Sequence, residues 1–294
     1  MGQVKAGKIT LEIDRIGDPA NPAIILIAGL GFQLIDWPRA FCETLAEKGY
    51  QVVRFDNRDV GKSQKLETLG VPDLAAVLEG KATGNFPDIP YSLDDMARDV
   101  IALMNALSLH KAHIVGMSMG GMIAQLLAVH SPERCLSLTS IMSTSGEASV
   151  SAPKPEVMAA LTKAPASQEK QDIVDFGLRV NDTIGSPGFR WDRDALRDHI
   201  EACFDRGYCP TGYLRQMAAV FSAPSRRDIL GKINVPTLVI HGLEDPLVPS
   251  SGGQDVADYV PHAHLELVAG MGHDLSPLLC VHLARLMVPH FNGT

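Results

Sequence analysis

The stretch Gly116-Met117-Ser118-Met119-Gly120 follows a strand-like apolar run, Ala112-His113-Ile114-Val115, and precedes a helix-like run that starts at Met122. Glycines on both sides of a serine leave room for a sharp strand-to-helix turn, which holds the hydroxyl exposed at the end of the strand. This context predicts that Ser118 is a nucleophile. The alternative is a glycine-rich turn whose serine only caps the following helix.

Composition and charge narrow the class of protein. The chain has 294 residues, of which 46% are hydrophobic and 20% charged, so it can bury a sizeable core. The formal net charge is −8 and no basic stripe occurs, which argues against nucleic acid and anionic membranes as partners. No apolar run approaches the roughly 18 residues of a membrane span, and residues 1–11 lack the apolar segment of a signal peptide.

The cysteines give no metal or disulfide signature. Five of them stand at scattered positions, namely Cys42, Cys135, Cys203, Cys209 and Cys280. Their odd number and their spacing match neither a disulfide framework nor a zinc-binding pattern. We therefore expect reduced thiols, a cytoplasmic location and no metal. The expected partner is a small molecule, and homo-oligomerisation is left open.

Short apolar strands alternate with amphipathic helices along most of the chain. This alternation predicts an α/β fold with a mostly parallel central sheet and helices on both faces. The clearest helix opens at Ser92, where Asp95 completes a capping-box pattern. The predicted strands span 9–16 (as an edge strand), 23–28, 51–55, 112–115, 136–142, 237–240 and 264–268.

The alternation stops between residues 143 and 225, where helix-like pieces occur without a convincing strand. These pieces span 156–163, 168–180, 193–204 and 211–221. A helical insertion before the last two strands is expected to cover the carboxyl ends of the strands, where ligands bind in such sheets. The predicted domains are a core made of 1–142 and 226–294 and a helical cap made of 143–225.

Two side chains downstream of Ser118 have the chemistry that a serine nucleophile needs. A serine hydroxyl requires a base to remove its proton, and a carboxylate commonly orients that base. Asp245 follows the predicted strand at 237–240, and His273 lies in the loop after the last predicted strand. Because both follow strands of one sheet, we expect Asp245 and His273 to converge on Ser118.

Two neighbouring residues compete for these roles. Glu244 is a carboxylate next to Asp245, and an aspartate followed by Pro246 also favours a simple turn. His241 lies at the end of a predicted strand, where we expect a packing hydrogen bond. The position of His273 beside a glycine after the final strand favours it as the base.

A negative charge that develops on a carbonyl oxygen requires a pair of hydrogen-bond donors. The backbone N–H of Met119, directly after the nucleophile, is one expected donor. The other is expected from the loop after the strand at 23–28, with Leu30 N–H as the first choice and Gly31 N–H as the second. The residues predicted to contact substrate are Gly29, Gly31, Phe32, Trp37 and Met117.

Two other glycine-containing segments do not fit nucleotide binding. Residues 56–63 follow a strand but lack the spacing of a phosphate-binding loop. We expect Asp56 and Arg58 in this segment to form a structural ion pair. The Gly29-x-Gly31 pair lacks a third glycine in register, which argues against a dinucleotide site.

These features resemble the α/β-hydrolase superfamily over essentially the whole chain. The resemblance is carried by 29–31, Trp37, 54–63, 116–121, Asp245 and Gly272-His273, with the serine, aspartate and histidine in that superfamily's order. Residues 17–23 and the Trp37-Pro38 pair resemble the aclacinomycin methylesterase type. One departure is Ala28, where many members have histidine. Because the expected donors are backbone N–H groups, we expect the oxyanion hole to survive this change.

The resemblance implies a serine esterase without a cofactor. It would cleave short-to-medium acyl or methyl esters through an acyl-enzyme intermediate. Three alternatives share the scaffold: a cofactor-free perhydrolase or haloperoxidase-like enzyme, a carbon–carbon bond hydrolase, and a non-enzymatic ligand receptor. Epoxide hydrolases and haloalkane dehalogenases use a carboxylate as nucleophile, so Ser118 argues against both.

Overall fold

The computed structural model describes residues 1–162 and 165–293, and eight strands in this part of the chain form one sheet. The strands are β1 (Gly2–Ala6), β2 (Ile9–Ile16), β3 (Ala23–Ile27), β4 (Gln51–Phe55), β5 (Ala112–Met117), β6 (Cys135–Ile141), β7 (Thr237–Gly242) and β8 (His264–Val268). Every residue of β3, β4, β5 and β7 is buried, as expected of strands covered on both faces.

The helices surround this sheet. They are α1 (Arg39–Glu47), α2 (Leu74–Thr83), α3 (Leu93–Ala106), α4 (Met119–His130), α5 (Ala148–Ser151), α6 (Pro155–Thr162), α7 (Lys170–Ile184), α8 (Arg193–Gly207), α9 (Pro210–Ser222), α10 (Arg227–Leu230), α11 (Ser250–Tyr259) and α12 (Pro277–Asn292). The predicted capping box of α3 is confirmed, because Ser92 and Asp95 exchange side-chain and backbone hydrogen bonds. No helix in the described residues is both long and apolar enough to cross a bilayer.

The strand order is β1-β2-β4-β3-β5-β6-β7-β8, with β1–β2 and β2–β4 antiparallel and the other pairs parallel. The predicted mostly parallel sheet is therefore confirmed. The prediction that residues 9–16 form an edge strand is wrong, because β1 pairs with β2 along its outer side. Only Ala6 of β1 is buried, so β1 has little of the apolar pattern that identifies a strand.

The core has two apolar layers, one on each face of the sheet. Successive side chains of a strand point to opposite faces. In β3, Ile25 and Ile27 pack with residues of α3 and α4, whereas Ile24 and Leu26 pack with residues of α1 and α12. The carboxyl ends of the parallel strands β3, β5, β7 and β8 lie at one edge of this helix-covered sheet, where the loops that follow them meet.

The segment between β6 and β7 contains helices α5 to α9 and no strand among its described residues, 143–162 and 165–225. Helices α6 to α9 correspond to the four predicted helical pieces, and α5 was not predicted. The predicted end of the first piece at Lys163 lies outside the described residues. We call residues 143–225 the helical insertion.

A buried ion pair ties the helical insertion to the core. The Arg215 guanidinium on α9 makes two hydrogen bonds to the Asp59 carboxylate, of 2.9 and 2.8 Å, and neither side chain is exposed. Arg215 also donates to the Gly70 carbonyl oxygen at 3.0 Å. Burial alone would raise the pKa of Asp59, but hydrogen bonds from Arg215 and from Leu66 N–H lower it overall. Asp59 is therefore an ionised partner for Arg215.

We expect replacement of Arg215 by alanine to lower the free energy of unfolding by about 3–5 kcal/mol, since it leaves the Asp59 carboxylate buried without a counter-charge. Urea denaturation followed by circular dichroism measures this loss. Arg193→Ala is the matched control, because Arg193 pairs with Asp182 at 2.9 Å while both side chains are more than half exposed. That change is expected to cost less than about 1 kcal/mol. If the two variants lost equal free energies of unfolding, the claim that breaking the buried ion pair costs more than breaking the exposed one would be contradicted.

Candidate active site

Ser118 lies in a tight turn between β5 and α4. Its φ of +53° and ψ of −121° are strained for a residue with a side chain. Two glycines make the turn feasible. A Cβ at Gly116 would lie 2.1 Å from the Gly120 carbonyl oxygen, and a Cβ at Gly120 would lie 2.1 Å from the Ile27 carbonyl oxygen. The start of α4 can therefore pack closely against β3, and Ser118 is left partly exposed.

Hydrogen bonds hold the backbone of Ser118 in this conformation. Its N–H donates to the Ile141 carbonyl oxygen at 2.9 Å. Its carbonyl oxygen accepts the Ser143 hydroxyl at 2.8 Å and the Gly121 N–H at 2.9 Å. The position of Ser143 could not be predicted, because nothing in its local sequence shows that it lies beside the turn. We regard it as a positioning residue for Ser118.

His273 connects Ser118 to Asp245. Its Nε2 lies 3.0 Å from Ser118 Oγ, and its Nδ1 lies 2.7 Å from Asp245 Oδ2. Both His273 and Asp245 are buried. With Nδ1–H donating to the carboxylate, Nε2 is free to accept a proton from the serine hydroxyl. The structure thus brings together the three residues that the sequence predicted to converge.

The Asp245 carboxylate is held on both oxygens. Oδ1 accepts the N–H groups of Leu247 and Val248, each at 2.9 Å, while Oδ2 faces His273. Burial alone would raise the pKa of Asp245, but the charges and hydrogen bonds of His273 and His241 hold it well below its usual range. Asp245 is therefore ionised at neutral pH and can stabilise a positive charge on His273.

The two competing residues lie elsewhere. The Glu244 carboxylate accepts the Gly270 N–H at 2.6 Å and makes no hydrogen bond to His273. His241 is buried, and its Nε2 lies 2.8 Å from the Val248 carbonyl oxygen and 3.5 Å from Asp245 Oδ2. His241 therefore packs behind Asp245 and has no direct contact with Ser118.

The loop after β3 lies beside Ser118. A Cβ at Gly29 would lie 3.4 Å from the Ser118 Cβ. Within the described residues, neither Leu30 N–H nor Met119 N–H donates a hydrogen bond to another group of the protein, so both are free to bind a ligand oxygen. Gly31 N–H instead donates to Gln216 Oε1 at 2.9 Å. The second choice for the early-loop donor, Gly31, is thus already occupied.

The predicted substrate-contact residues fall into two groups. Gly29, Gly31 and Phe32 belong to the loop beside Ser118, and Phe32 is partly exposed. Trp37 and Met117 have no exposed surface and lie in the apolar layer formed with α1 and α12. A side chain without accessible surface does not line a space that a ligand can enter in this conformation. The prediction that Trp37 and Met117 contact substrate is therefore wrong for this conformation.

The helical insertion contacts the loop that carries His273. The His273 N–H donates to the Ile184 carbonyl oxygen at 2.6 Å, and Gly272 N–H donates to Ser186 Oγ at 2.9 Å. The buried Asp274 carboxylate accepts Ser186 N–H and the Asn181 amide, both at 3.0 Å. These residues fix the loop from the side of the insertion. These contacts could not be predicted from the sequence, because the partners lie about 90 residues apart along the chain.

The expected ion pair between Asp56 and Arg58 is wrong. Asp56 is paired with Arg206 of α8 at 2.6 Å, and Arg58 is paired with Asp99 of α3 at 2.7 Å. Each residue thus finds its partner on a helix distant in sequence. Burial raises the pKa of Asp56 despite the opposing effects of Arg206 and of the Leu34 and Lys62 N–H groups. The Asp56–Arg206 pair is a second polar link between the insertion and the core.

The eight-stranded sheet, the strained turn at Ser118 and the partners Asp245 and His273 define an α/β-hydrolase. A family model described as the alpha/beta hydrolase fold matches residues 22–187. The chain belongs to this family.

Curated and solved relatives agree with this assignment. The chain is 31% identical to rhodomycin D methylesterase DauP of Streptomyces sp. strain C5, over 96% of this chain and 95% of that protein. It is 27% identical to 3-oxoadipate enol-lactonase 2 of Acinetobacter baylyi, over 98% and 96% of the two chains. An esterase from Exiguobacterium antarcticum has the same fold, with a TM-score of 0.74, 19% identity and coverage of 99% and 100%. The predicted resemblance is thereby confirmed.

Proposed function

We propose that this protein is a serine hydrolase that cleaves carboxylic esters. Ser118 is the nucleophile, His273 the general base and Asp245 the residue that orients His273. The Leu30 and Met119 N–H groups bind the oxyanion. The observation that carries the proposal is the continuous hydrogen-bonded chain from Ser118 Oγ through His273 to Asp245.

The reaction proceeds in two halves on these groups. Ser118 Oγ attacks the ester carbonyl carbon as its proton passes to His273 Nε2, and the carbonyl oxygen becomes an oxyanion. When the tetrahedral intermediate collapses, the bond to the alkoxy group breaks and His273 gives its proton to the leaving alcohol. Water then attacks the acyl-enzyme with His273 as base, which releases the carboxylic acid and restores Ser118. No metal or organic cofactor is needed for these steps.

We propose that the helical insertion acts as a cap over this site. The contacts that support this role involve the two loops beside Ser118, namely the loop of His273 and the loop of Gly31. Residues of α7 and the following loop bind the His273 loop, while Gln216 of α9 holds Gly31. The Tyr213 ring of α9 also lies against Gly31, where a Cβ would be 2.7 Å from it. A substrate that reaches Ser118 would therefore lie under α7 and α9, near Gly29, Gly31 and Phe32.

The proposed substrate is a small-molecule ester, with a methyl ester carried by a larger apolar acid as the first choice. The named activity of the methylesterase relative, which matches 96% of this chain, supports this choice. The enol-lactonase relative supports an ester that is part of a ring as the second choice. We place the reaction in a reducing, cytoplasmic setting, which the unpaired state of the five cysteines supports.

A substrate panel tests the proposed activity. We expect turnover of p-nitrophenyl acetate and butyrate, and methanol release from methyl esters of aromatic carboxylic acids. The corresponding amide is expected to react far more slowly, since its nitrogen is a poorer leaving group. The measurements are nitrophenolate absorbance and gas-chromatographic detection of methanol.

The same panel separates the alternatives that use this triad. It includes a lactone, a vinylogous diketone for carbon–carbon cleavage, and a bromination assay with peroxide and acetate for perhydrolysis. Cleavage of the diketone without turnover of any ester would overturn ester hydrolysis in favour of a carbon–carbon bond hydrolase. Binding of the esters without any product would indicate a receptor.

A further inference from the structure

Three potential metal ligands meet where the helical insertion contacts the core, outside the Ser118 site. They are Asp36 in the short helical turn 34–36 and His199 and Cys203 on α8. His199 Nε2 lies 2.9 Å from Asp36 Oδ1, and Cys203 Sγ lies 3.6 Å from His199 Nε2 and 3.9 Å from Asp36 Oδ2. We propose that these three side chains bind a zinc ion that fastens α8 to the core.

The three donor atoms can occupy three positions of one tetrahedral ion, with a water molecule as its fourth ligand. Zinc bonds of about 2.0–2.3 Å to nitrogen, oxygen and sulfur place neighbouring ligand atoms roughly 3.3–3.6 Å apart. Measured to Asp36 Oδ1, the oxygen that faces His199, the observed separations are 2.9, 3.6 and 4.0 Å, so one lies below this range and one above it. Side-chain shifts of a few tenths of an ångström are therefore enough to place all three atoms at bonding distance from one ion.

The surrounding structure prepares the donors. His199 and Cys203 are four residues apart, so they lie on the same face of α8. Asp36 is fixed through its second oxygen, Oδ2, which accepts the Gln33 N–H at 2.6 Å, and this leaves Oδ1 to face His199. The Gln33 side chain also donates to the Cys203 carbonyl oxygen at 2.6 Å. Backbone and side chains are thus already ordered before a metal binds.

The chemistry of the donor set favours zinc over hard cations. A thiolate and an imidazole suit Zn²⁺, whereas Ca²⁺ and Mg²⁺ prefer oxygen ligands only. In the zinc complex, a carboxylate from Asp36 and a thiolate from Cys203 would supply two negative charges to Zn²⁺, and the His199 imidazole would be the neutral ligand. The thiolate is the form of cysteine that binds a metal, so zinc binding displaces the proton of the Cys203 thiol.

A hydrogen-bonded link between α8 and the core, without a metal, explains the cluster less well. The His199–Asp36 contact alone would be enough for such a link, so the link does not require Cys203. The Cys203 sulfur, at 3.9–4.0 Å from both Asp36 oxygens, is at the limit of hydrogen bonding. It lies in a suitable place for a metal ligand. The linear sequence does not reveal this group, because Asp36 and His199 are 163 residues apart.

Cobalt titration of the full-length, metal-stripped protein tests the site. We expect one equivalent of Co²⁺ to produce a near-ultraviolet thiolate-to-cobalt charge-transfer band and the visible bands of four-coordinate cobalt. Zn²⁺ should abolish both sets of bands and raise the melting temperature. Absence of the charge-transfer band in the unmodified protein with excess Co²⁺ overturns the proposal, whatever the enzymatic activity.

Two cysteine variants locate the metal. Cys203→Ser is expected to lose the charge-transfer band and to weaken zinc binding by more than about tenfold, the smallest effect typical of even an outer-shell partner. Cys209→Ser is the matched control, because Cys209 is also a partly buried thiol of the insertion but contacts Glu67 and Thr211 instead. It is expected to keep the band and the affinity. Circular dichroism verifies that both variants fold. A band that persists in folded Cys203→Ser, or disappears in folded Cys209→Ser, overturns the assignment.

Discussion

Replacement of Ser118 by alanine is expected to lower kcat for p-nitrophenyl butyrate by about 10⁴- to 10⁶-fold. The Ser118 hydroxyl is the group of the proposed triad that forms the acyl-enzyme, so the alanine variant cannot form this intermediate. The Leu30 and Met119 N–H groups stay in place, so a small residual rate from oxyanion binding is expected. Steady-state kinetics at high enzyme concentration measures this residual activity.

A labelling experiment and a second serine variant support the interpretation. A fluorophosphonate probe should form a bond to Ser118 Oγ with loss of fluoride, and Ser118→Ala should remain unlabelled. Ser222→Ala is the matched control, because Ser222 is also partly exposed but its hydroxyl bonds to the Ala218 carbonyl oxygen within α9. It should keep normal labelling and kinetics. Undiminished turnover in a folded Ser118→Ala protein would rule out Ser118 as the nucleophile.

The strained backbone at Ser118 explains why this site could be predicted from the sequence. The turn needs glycine at positions 116 and 120, because a Cβ at either would lie 2.1 Å from a carbonyl oxygen. This requirement appears in the sequence as the short motif Gly116-x-Ser118-x-Gly120, which can be recognised without knowledge of distant residues. The same holds for Asp245 and His273, since they lie in the loops that follow β7 and β8, the last two strands of the sheet.

The contacts of the helical insertion could not be predicted in the same way. Gln216 holds Gly31 from 185 residues away, and Arg206 pairs with Asp56 across 150 residues. Nothing in the neighbourhood of these residues encodes their partners, which depend on how α8 and α9 pack on the core. For that reason the expected Asp56–Arg58 pair was wrong, although both residues are indeed ion-paired.

The outer edge of the sheet was missed for a different reason. Strand β1 is stabilised mainly by backbone hydrogen bonds to β2, and its side chains are largely exposed. Without alternation of buried and exposed positions, hydrophobic periodicity has no signal to detect. The central strand β3 could be predicted because it is apolar throughout and every one of its residues is buried.

Replacement of Asp245 by asparagine is expected to lower kcat by about 10⁴-fold while changing KM little. The asparagine side chain can donate to His273 Nδ1, which favours the tautomer that carries its proton on Nε2. Nε2 then cannot accept the proton of Ser118, and no negative charge stabilises the imidazolium. Because the pKa of Asp245 is held below its usual value, its carboxylate is charged from about pH 5 to 8. In the wild-type protein the carboxylate therefore stabilises the His273 imidazolium throughout that range. Steady-state kinetics against pH measures both effects.

The neighbouring carboxylate provides the control for charge and position. Glu244→Gln removes an equal charge one residue away, but its side chain faces Gly270 N–H and the amide oxygen can still accept that hydrogen bond. We expect kcat within a few-fold of the wild-type value, because Glu244 does not contact His273. Asp245→Asn should also keep its fold, since the amide oxygen can accept the Leu247 and Val248 N–H groups that now bind Oδ1. If Glu244→Gln lost activity as severely as Asp245→Asn, the carboxylate that orients His273 would have to be reassigned, because loss of a charge that does not contact His273 would then have the same effect as loss of its hydrogen-bond partner.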